Sequence, residues 1–398
     1  MSTQAVYQGN NLDLLARLPD CSVHAVVTDP PYGLSFMGRD WDKALPDPRT
    51  WSECLRVLRP GGHLVAFGAP RLYHRLTCQI EDAGFEIRDA LLWLFGSGFP
   101  KSLDVSKAID KEAGAVRVRV PATGGLHNNS NLNDDGWAQI GNAAPTQPGP
   151  TPATPEAAEW SGWGTALKPA YEPIVLARKP LDGTVASNVQ RWGTGAINVD
   201  GCRIEATDPE AYAAKGASVV GLDSARNTTT YGASNAPRAD STSPLGRWPA
   251  NLILSDEGDE EWRRYFYSPK ASRSEREAGL EGLPPRVVDE SRTEDSAGRN
   301  NPRAGAGRKG DGRRNHHPTV KPIELMRWLV RLVTPPGGIV VEPFAGSGTT
   351  PSACALADVD CIAMEIAPDY VEISRARVEH YRRIRASSSS NHPAKATA

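Results

Sequence analysis

Residues 25–33 read Ala-Val-Val-Thr-Asp-Pro-Pro-Tyr-Gly, an apolar strand that stops at an acid, two prolines and an aromatic ring. Small and β-branched side chains in the first four positions favour a central strand that is covered on both faces. Pro30 and Pro31 have no N–H to donate, so strand pairing must end before them. Asp29 and Tyr32 are therefore predicted at the carboxyl end of a strand, where open α/β sheets bind their ligands. A strand followed by a Pro-rich structural turn is the alternative that these residues alone leave open.

Residues 340–350, Val-Val-Glu-Pro-Phe-Ala-Gly-Ser-Gly-Thr-Thr, predict a second strand that runs into a glycine turn and opens a helix. Gly346 and Gly348 would let the backbone approach a ligand closely, and a helix N-terminus favours an electronegative group. A P-loop would need Gly-Lys-Ser/Thr, and a dinucleotide fingerprint would need three spaced glycines. The stretch has neither pattern. Glu365 ends the next predicted strand, where a doubly wound fold places the acid that binds ribose hydroxyls. A nucleoside cofactor fits best, and a structural glycine turn beside an exposed glutamate is the alternative.

The composition limits the class of protein. A hydrophobic content of 39% in 398 residues allows an ample core, whereas 37 Gly and 33 Pro predict long loops or disordered segments. Because the net charge is −2, a nucleic-acid-binding surface would have to concentrate its basic residues locally. The six cysteines form no CxxC pair, so we expect reduced structural thiols and no metal site. The sequence contains neither a signal peptide nor a membrane-length apolar run, which favours a cytoplasmic protein without a membrane partner.

Strands that alternate with helices predict an α/β fold, a doubly wound and mostly parallel sheet. The predicted strands are 5–8, 24–28, 63–67, 86–94, 171–177, 339–342 and 361–364. The predicted helices are 12–18, 51–58, 71–83, 322–333, 349–356 and 370–385. The loop at 33–47 is long enough to form a mobile flap near the site.

The alternation is interrupted in the middle of the chain, which divides it into four predicted parts. Residues 1–180 contain the acid–proline stretch and, at about 120–160, an insertion rich in Gly, Asn, Pro and Thr that we expect to be disordered. Residues 181–315 are polar and irregular and predict an accessory region. The alternation returns over 316–385 around the glycine turn, and 386–398 are expected to form a disordered tail.

A basic, glycine-rich loop at 303–317 ends the accessory region. Such a loop fits contact with phosphate groups, and a solvated disordered loop is the alternative. Its candidate cations are Arg303, Arg308, Lys309, Arg313 and Arg314.

Asp29-Pro-Pro-Tyr-Gly33 together with Phe344-x-Gly-x-Gly348 resembles the amino-group DNA methyltransferases, which use S-adenosylmethionine. The catalytic motif precedes the cofactor motif, as in the β-class arrangement, where a target-recognition region lies between the two halves. His317-Pro-Thr-Val-Lys-Pro322, Arg56-Val-Leu-Arg-Pro-Gly-Gly62 and Tyr267-Ser-Pro-Lys-Ala-Ser272 are also similar to that family. The resemblance covers roughly 1–110, 165–180 and 316–385. It implies a Rossmann-like methyltransferase fold with a large irregular inserted target-recognition region.

The resemblance implies site-specific methylation of N6 of adenine in double-stranded DNA, with the target base flipped out of the duplex. Asp29 and the carbonyl of Pro30 would accept the N–H bonds of the amine, Pro31 would stiffen the backbone, and Tyr32 would stack on the extruded base. Glu342 is expected at the ammonium of the cofactor, and the basic loop at the DNA. The expected cofactor-binding residues are Asn10, Thr319, Lys321, Glu342, Phe344, Gly346, Ser347, Gly348, Thr349 and Glu365.

Several alternatives stay open at this point. Glu342 stands where the family usually has Asp, and Asn10 where it has an acid, so both put cofactor affinity in question. For Lys321 a structural ion pair is the alternative to a ligand contact. N4 of cytosine is the nearest alternative target, and a catalytically silent DNA-binding module, disfavoured by the intact Asp29 and Tyr32, is the alternative of another class. RNA or protein methylation is a further one. The resemblance leaves a homodimer and a cognate restriction endonuclease open.

Overall fold

The computed structural model describes residues 2–34, 40–95, 102–121, 146–204, 248–254, 271–286 and 312–390. Several predicted features lie outside these residues. They are the centre of the predicted insertion (122–145), the tail from 391, the stretch 267–270, and the cations Arg303, Arg308 and Lys309.

The described strands are β1 (Gln4–Gln8), β2 (Val23–Thr28), β3 (Leu58–Phe67), β4 (Glu86–Leu94), β5 (Arg119–Pro121), β6 (Thr146–Pro148), β7 (Tyr171–Arg178), β8 (Leu252–Leu254), β9 (Ile339–Glu342) and β10 (Asp360–Glu365). The described helices are α1 (Asn11–Leu15), α2 (Pro48–Val57), α3 (Tyr73–Asp82), α4 (Val105–Glu112), α5 (Pro155–Glu159), α6 (Val185–Trp192), α7 (Arg273–Glu277), α8 (Ile323–Val333), α9 (Thr349–Ala357) and α10 (Pro368–Ser390).

Within the described residues, eight strands form one sheet in the order β1-β10-β9-β2-β3-β7-β4-β8. The first five strands in this order pair in parallel: β1, β10, β9, β2 and β3. The strand β7 runs antiparallel to both β3 and β4, and β8 pairs in parallel with β4. This mixed, mostly parallel sheet with helices confirms the predicted α/β class. None of the described helices has the length and apolar content needed to cross a bilayer.

The strand β2 is central because every one of its six residues is buried. Alternate side chains enter two different cores: Ala25 and Val27 pack in the cluster that contains α8, and Val26 packs in the cluster that contains Trp51 of α2. Fully burying a side chain of the size of Val stabilises the fold by roughly 1.5–3 kcal/mol. The predicted central strand, covered on both faces, is therefore confirmed.

The strand β3 begins five residues earlier than predicted. Arg59-Pro60-Gly61-Gly62 was expected to separate α2 from the strand, but the β2–β3 register shifts there and accommodates these residues as an irregularity. The backbone groups of the irregularity are satisfied locally: the Gly61 N–H lies 3.1 Å from the Lys179 carbonyl, and Asn188 Nδ2 donates to the Pro60 carbonyl at 2.9 Å. Because these backbone polar groups have hydrogen-bond partners, β3 can include residues 59–62 and does not have to begin after them.

Two predicted irregular regions contain regular structure where they are described. Residues 146–160, part of the expected disordered insertion, include β6 and α5, whose first turn is capped by Thr154. β8 comes from the predicted accessory region and extends the main sheet beside β4. α10 continues to Ser390, five residues beyond its predicted end.

The chain divides into two compact units, one formed by 1–96, 171–285 and 314–398 and the other by 97–170 and 286–313. The first unit contains the eight-stranded sheet. The second is organised around Asp110, which is 2% exposed and bonds Arg117, the Thr154 hydroxyl and the backbone N–H of Ala153. The predicted functional division at 180 and 315 stays a prediction.

Candidate active site

The carboxyl ends of three neighbouring parallel strands carry the acids that the sequence singled out. Asp29 follows β2, Glu342 ends β9 and Glu365 ends β10, and these strands lie in the order β10-β9-β2. Since parallel neighbours end at the same edge of a sheet, the two halves of the predicted site meet. The hydroxyl of Thr28 donates to Oε1 of Glu342, 314 residues away in sequence.

Asp29 belongs to a cluster of four polar side chains, which we call the acid–lysine cluster: Asp29, Tyr32, Glu172 and Lys321. The Lys321 ammonium donates to Oδ2 of Asp29 at 2.7 Å, and the Tyr32 hydroxyl donates to Oδ1 at 2.8 Å. Oε2 of Glu172 lies 3.2 Å from Lys321 Nζ and 3.1 Å from the Tyr32 oxygen. The structure thus gives Lys321 the ion pair that was one of its two expected roles. Glu172, on β7, was not predicted.

Burial controls the protonation of this cluster. It raises the pKa of Asp29, with Lys321 opposing the rise and Glu172 adding to it, and it raises the pKa of the Tyr32 phenol well above 10. Burial alone would lower the pKa of Lys321, but the two carboxylates raise it above its usual value. Lys321 is therefore an ammonium, only 7% exposed, whose other neighbours are the rings of Tyr32 and Phe67 at 5.3 and 4.8 Å.

The turn after the prolines is held by Asp42, a residue that sequence reasoning missed. Asp42 is 2% exposed, and its Oδ1 accepts the backbone N–H groups of Tyr32 at 2.6 Å and Gly33 at 3.0 Å. The neighbouring Trp41 ring stacks on His317 at 6.0 Å. The described part of the predicted mobile flap is thus fastened to the site, while 35–39 lie outside the described residues.

Both carboxylate oxygens of Glu342 accept hydrogen bonds from other groups of the protein. Its Oε1 accepts from Thr28 and from the backbone N–H of Phe344 at 2.9 Å, and its Oε2 accepts from Thr350 at 2.6 Å. The side chain is 1% exposed, and burial raises its pKa to about 7 against the opposing effect of these hydrogen bonds. Glu342 therefore joins the strand before Asp29 to the glycine turn, and its predicted ammonium contact stays a prediction.

Both glycines of the turn are required by the packing of the chain. Gly346 and Gly348 have φ of +50° and +78°, a region that favours glycine. A Cβ at Gly346 would lie 2.9 Å from Nε2 of His317, and one at Gly348 would lie 2.3 Å from the Ser374 hydroxyl. Sequence reasoning attributed these glycines to ligand approach, but the neighbouring side chains already explain them.

The hydroxyls of the turn are bound by a buried arginine of α10. Nη1 of Arg377 donates to the carbonyl and hydroxyl of Ser347 at 2.9 and 3.2 Å and to the Thr349 hydroxyl at 3.1 Å. Arg377 is fully buried, and burial lowers its pKa from the usual value. Ser347 and Thr349, expected to bind the cofactor, therefore use their side-chain oxygens to shape the turn. Arg377 sits in a helix that looked merely amphipathic.

Glu365 is half-buried, and its two oxygens accept the backbone N–H groups of Gly346 and Ala367, each at 2.8 Å. Each oxygen keeps a further lone pair, and burial raises the carboxyl pKa. The adjacent Ile366 side chain is 63% exposed. An acid and an exposed apolar side chain therefore lie together at the end of β10.

The other expected cofactor residues lie around this edge. Asn10 caps α1 by accepting the Leu12 N–H at 2.9 Å. Phe344 is half-buried against Trp51, with ring centroids 6.4 Å apart. The Thr319 carbonyl accepts from Nδ1 of His317 at 3.0 Å, and burial lowers the pKa of this histidine to about 3.

The described cations of the basic loop make local contacts. Arg313 forms a backbone bridge with Arg286. Arg314 donates from Nε to the Leu283 carbonyl at 3.0 Å and from its backbone N–H to Glu277 at 3.1 Å. Their contact with DNA stays a prediction.

Comparison with known proteins gives one family. The N6_N4_Mtase family, described as DNA methylase, matches residues 23–376. The type II methyltransferase M.HindIII of Haemophilus influenzae is 21% identical over 239 residues, which cover 48% of this chain and 64% of the relative. The chain thus spans less than two thirds of the length of that relative.

Two solved structures are similar over most of the chain. The M1.HpyAVI–SAM complex has a TM-score of 0.42 at 14% identity, covering 94% of this chain and 98% of that one. The PvuII DNA methyltransferase, described as cytosine-N4-specific, has a TM-score of 0.44 at 15% identity, covering 97% and 94%.

Proposed function

Since this chain belongs to the N6/N4 DNA methylase family, we propose that it transfers a methyl group from S-adenosylmethionine to N6 of adenine in double-stranded DNA. The observation that carries the proposal is the arrangement of three adjacent strand ends. Asp29 and Tyr32 stand at the end of β2, beside the glycine turn after β9 and Glu365 at the end of β10. An acceptor for an amine and a nucleoside-binding acid therefore share one edge of the sheet.

The residues at this edge fit S-adenosylmethionine. Glu365 keeps one lone pair on each oxygen for the ribose hydroxyls, and the exposed Ile366 offers an apolar surface to an adenine ring. The N-terminus of α9 and the net negative acid–lysine cluster suit, respectively, a carboxylate and a sulfonium. When bound, the cofactor supplies an electrophilic methyl group.

Asp29 supplies the acid–base chemistry of the transfer. An exocyclic amine is a weak nucleophile because its lone pair is delocalised into the base. A carboxylate and the Pro30 carbonyl that accept its two N–H bonds concentrate the lone pair on nitrogen, and the prolines keep both acceptors preorganised. A nitrogen–carbon bond forms, the carbon–sulfur bond breaks, and the amine releases one proton, which Asp29 receives. Tyr32 would stack on the base, which must leave the duplex to reach this pocket.

Adenine is proposed over cytosine because the motif reads Asp-Pro-Pro-Tyr, the form more typical of adenine enzymes. The same acceptors would serve N4 of cytosine, so the identity of the base is an outcome of the test.

The test uses the full chain, expressed in a host that lacks DNA methylation. Genomic DNA is digested and the nucleosides are measured by mass spectrometry, while single-molecule sequencing maps the modified sites. We expect N6-methyladenine at one recurring sequence, and none from the isosteric Asp29→Asn variant. N4-methylcytosine would refute the adenine assignment. The absence of any mark, with the protein folded and cofactor-bound, would instead support a silent DNA-binding module.

A further inference from the structure

We propose that Glu172 is a positioning residue for Lys321. When the target base enters, the Lys321 ammonium moves its ion pair from Asp29 to Glu172, so that Asp29 can accept an N–H of the target amine. This role rests on the proposed function. It concerns a residue of β7 that lies outside both motifs and contacts one of the expected cofactor residues, Lys321.

The argument begins with the occupancy of Asp29. In the structure both carboxylate oxygens already have partners, Oδ1 the Tyr32 hydroxyl at 2.8 Å and Oδ2 the Lys321 ammonium at 2.7 Å. An amine that approaches Asp29 competes with these two donors for the lone pairs of the carboxylate. Of the two donors, the ammonium is the one with further acceptors in reach, because Lys321 Nζ also lies 3.0 Å from the Tyr32 oxygen and 3.2 Å from Oε2 of Glu172.

The displaced ammonium needs another acceptor. Lys321 is 7% exposed, and a buried cation that has no partner is strongly destabilising. Glu172 lies 3.2 Å away, so the ammonium can change its main partner by a side-chain rotation alone. Among the described residues that face Glu172, the charged or titratable groups are Asp29, Tyr32 and Lys321.

The charge of the cluster points to the same role. Two carboxylates and one ammonium give a net charge of −1. Methyl transfer to an amine releases one proton, and the cluster becomes neutral when it takes up that proton. Without Glu172, Asp29 and Lys321 would form a neutral pair in which each satisfies the other and neither has a competing partner.

The position of Glu172 is fixed by its strand. β7 lies inside the sheet between β3 and β4, where Glu172 pairs with Trp93. A side chain on a paired strand is a more precise support than one on a loop.

The test compares Glu172→Gln with Glu86→Gln. Glu86 also joins β4 and β7, through Arg178 at 2.6 Å, but at the opposite end of these strands. We expect Glu172→Gln to lower kcat by at least about tenfold. This decrease should be smaller than the roughly 10²–10⁴-fold decrease expected on removing a direct acid–base group. KM for S-adenosylmethionine and the melting temperature should stay near those of Glu86→Gln, which should retain wild-type kcat.

The pH profile separates positioning from folding. The negative charge of Glu172 raises the pKa of Asp29, so Glu172→Gln should move the acid limb of the kcat profile to lower pH although the plateau falls. Glu172→Asp restores the charge and should recover part of kcat.

Equal kcat for Glu172→Gln and Glu86→Gln, in an active wild-type background, would overturn this role and leave the proposed function intact. An unshifted acid limb, or no recovery in Glu172→Asp, would also overturn it. A wild-type protein that transfers no methyl group to any DNA would overturn both the function and the role.

Discussion

The wild-type protein should lose stability as the pH rises, because of the buried carboxyl of Glu342. Replacing Glu342 with glutamine should remove this loss. The carboxyl is 1% exposed, and burial raises its pKa from 4.5 to about 7. Between these values the folded protein holds a proton that the unfolded chain has released. Stability therefore falls as the pH rises through this window, and the loss is complete above the folded pKa.

The magnitude follows from the size of the shift. With the unfolded pKa at 4.5 and the folded one at about 7, the wild-type free energy of unfolding should lose about 2–3 kcal/mol between pH 5 and pH 8 from this group. Glutamine is nearly isosteric and does not titrate. Its carbonyl at the position of Oε1 can accept from the Phe344 N–H and the Thr28 hydroxyl, and the Thr350 hydroxyl can rotate to accept from its amide. At pH 5 we therefore expect a difference within about 1 kcal/mol.

The assay is urea unfolding followed by tryptophan fluorescence at pH 5, 6, 7 and 8. The quantity of interest is the wild-type value minus the Glu342→Gln value at each pH, because other titrating groups cancel in that difference. Glu324→Gln is the matched control, because it makes the same chemical change at a side chain that is 63% exposed on α8. A Glu342 difference that is constant from pH 5 to 8 would refute the assignment of a buried, high-pKa acid.

Three further substitutions test the supports of the site. Asp42→Ala leaves two backbone N–H groups of the catalytic turn without their acceptor, a loss of about 1–3 kcal/mol; kcat should fall while calorimetry shows unchanged cofactor affinity. Gly348→Ala combines a φ of +78° with a Cβ 2.3 Å from the Ser374 hydroxyl, and cofactor binding should be lost in titration, with partial recovery when Ser374→Gly is added. Arg377→Met removes the donor to the glycine turn and leaves a shorter, apolar side chain, and it should weaken cofactor binding more than it changes kcat at saturation; the reverse pattern would contradict the contacts of Arg377.

The parts of the fold that follow one local pattern could be predicted from sequence. β2, β9 and α8 have strong periodicity or unbroken apolar runs, and their observed bounds differ from the predicted ones by a residue or so. β3 was predicted to begin late because Pro60 and Gly61 read as a break. The partners that satisfy this break come from Lys179 and Asn188, more than a hundred residues away, and no local pattern contains them.

The same limit applies to the candidate site. Asp29, Tyr32 and Glu365 were predicted because strand ends and motifs mark them, and the structure places all three at one edge of the sheet. Glu172 and Asp42 were missed because the contacts of each depend on the folded path of the chain. A glutamate before a proline in a strand, or an aspartate in a polar loop, has no distinguishing neighbours in sequence.

Glu342, Asp42 and Arg377 contact different parts of the candidate site, so substitutions at these three residues should have different effects. Glu342 accepts from the residue that precedes Asp29 and from two groups of the glycine turn, so one carboxylate holds both halves of the site. Asp42 accepts from two backbone N–H groups of the turn at Tyr32 and Gly33, whereas Arg377 donates to Ser347 and Thr349 of the glycine turn. A change at Glu342 should therefore alter cofactor affinity and kcat together, whereas changes at the other two residues should separate them. The halves are far apart in sequence, and this shared buried acid joins them together with the pairing of β2 and β9 and the ion pair of Lys321 with Asp29.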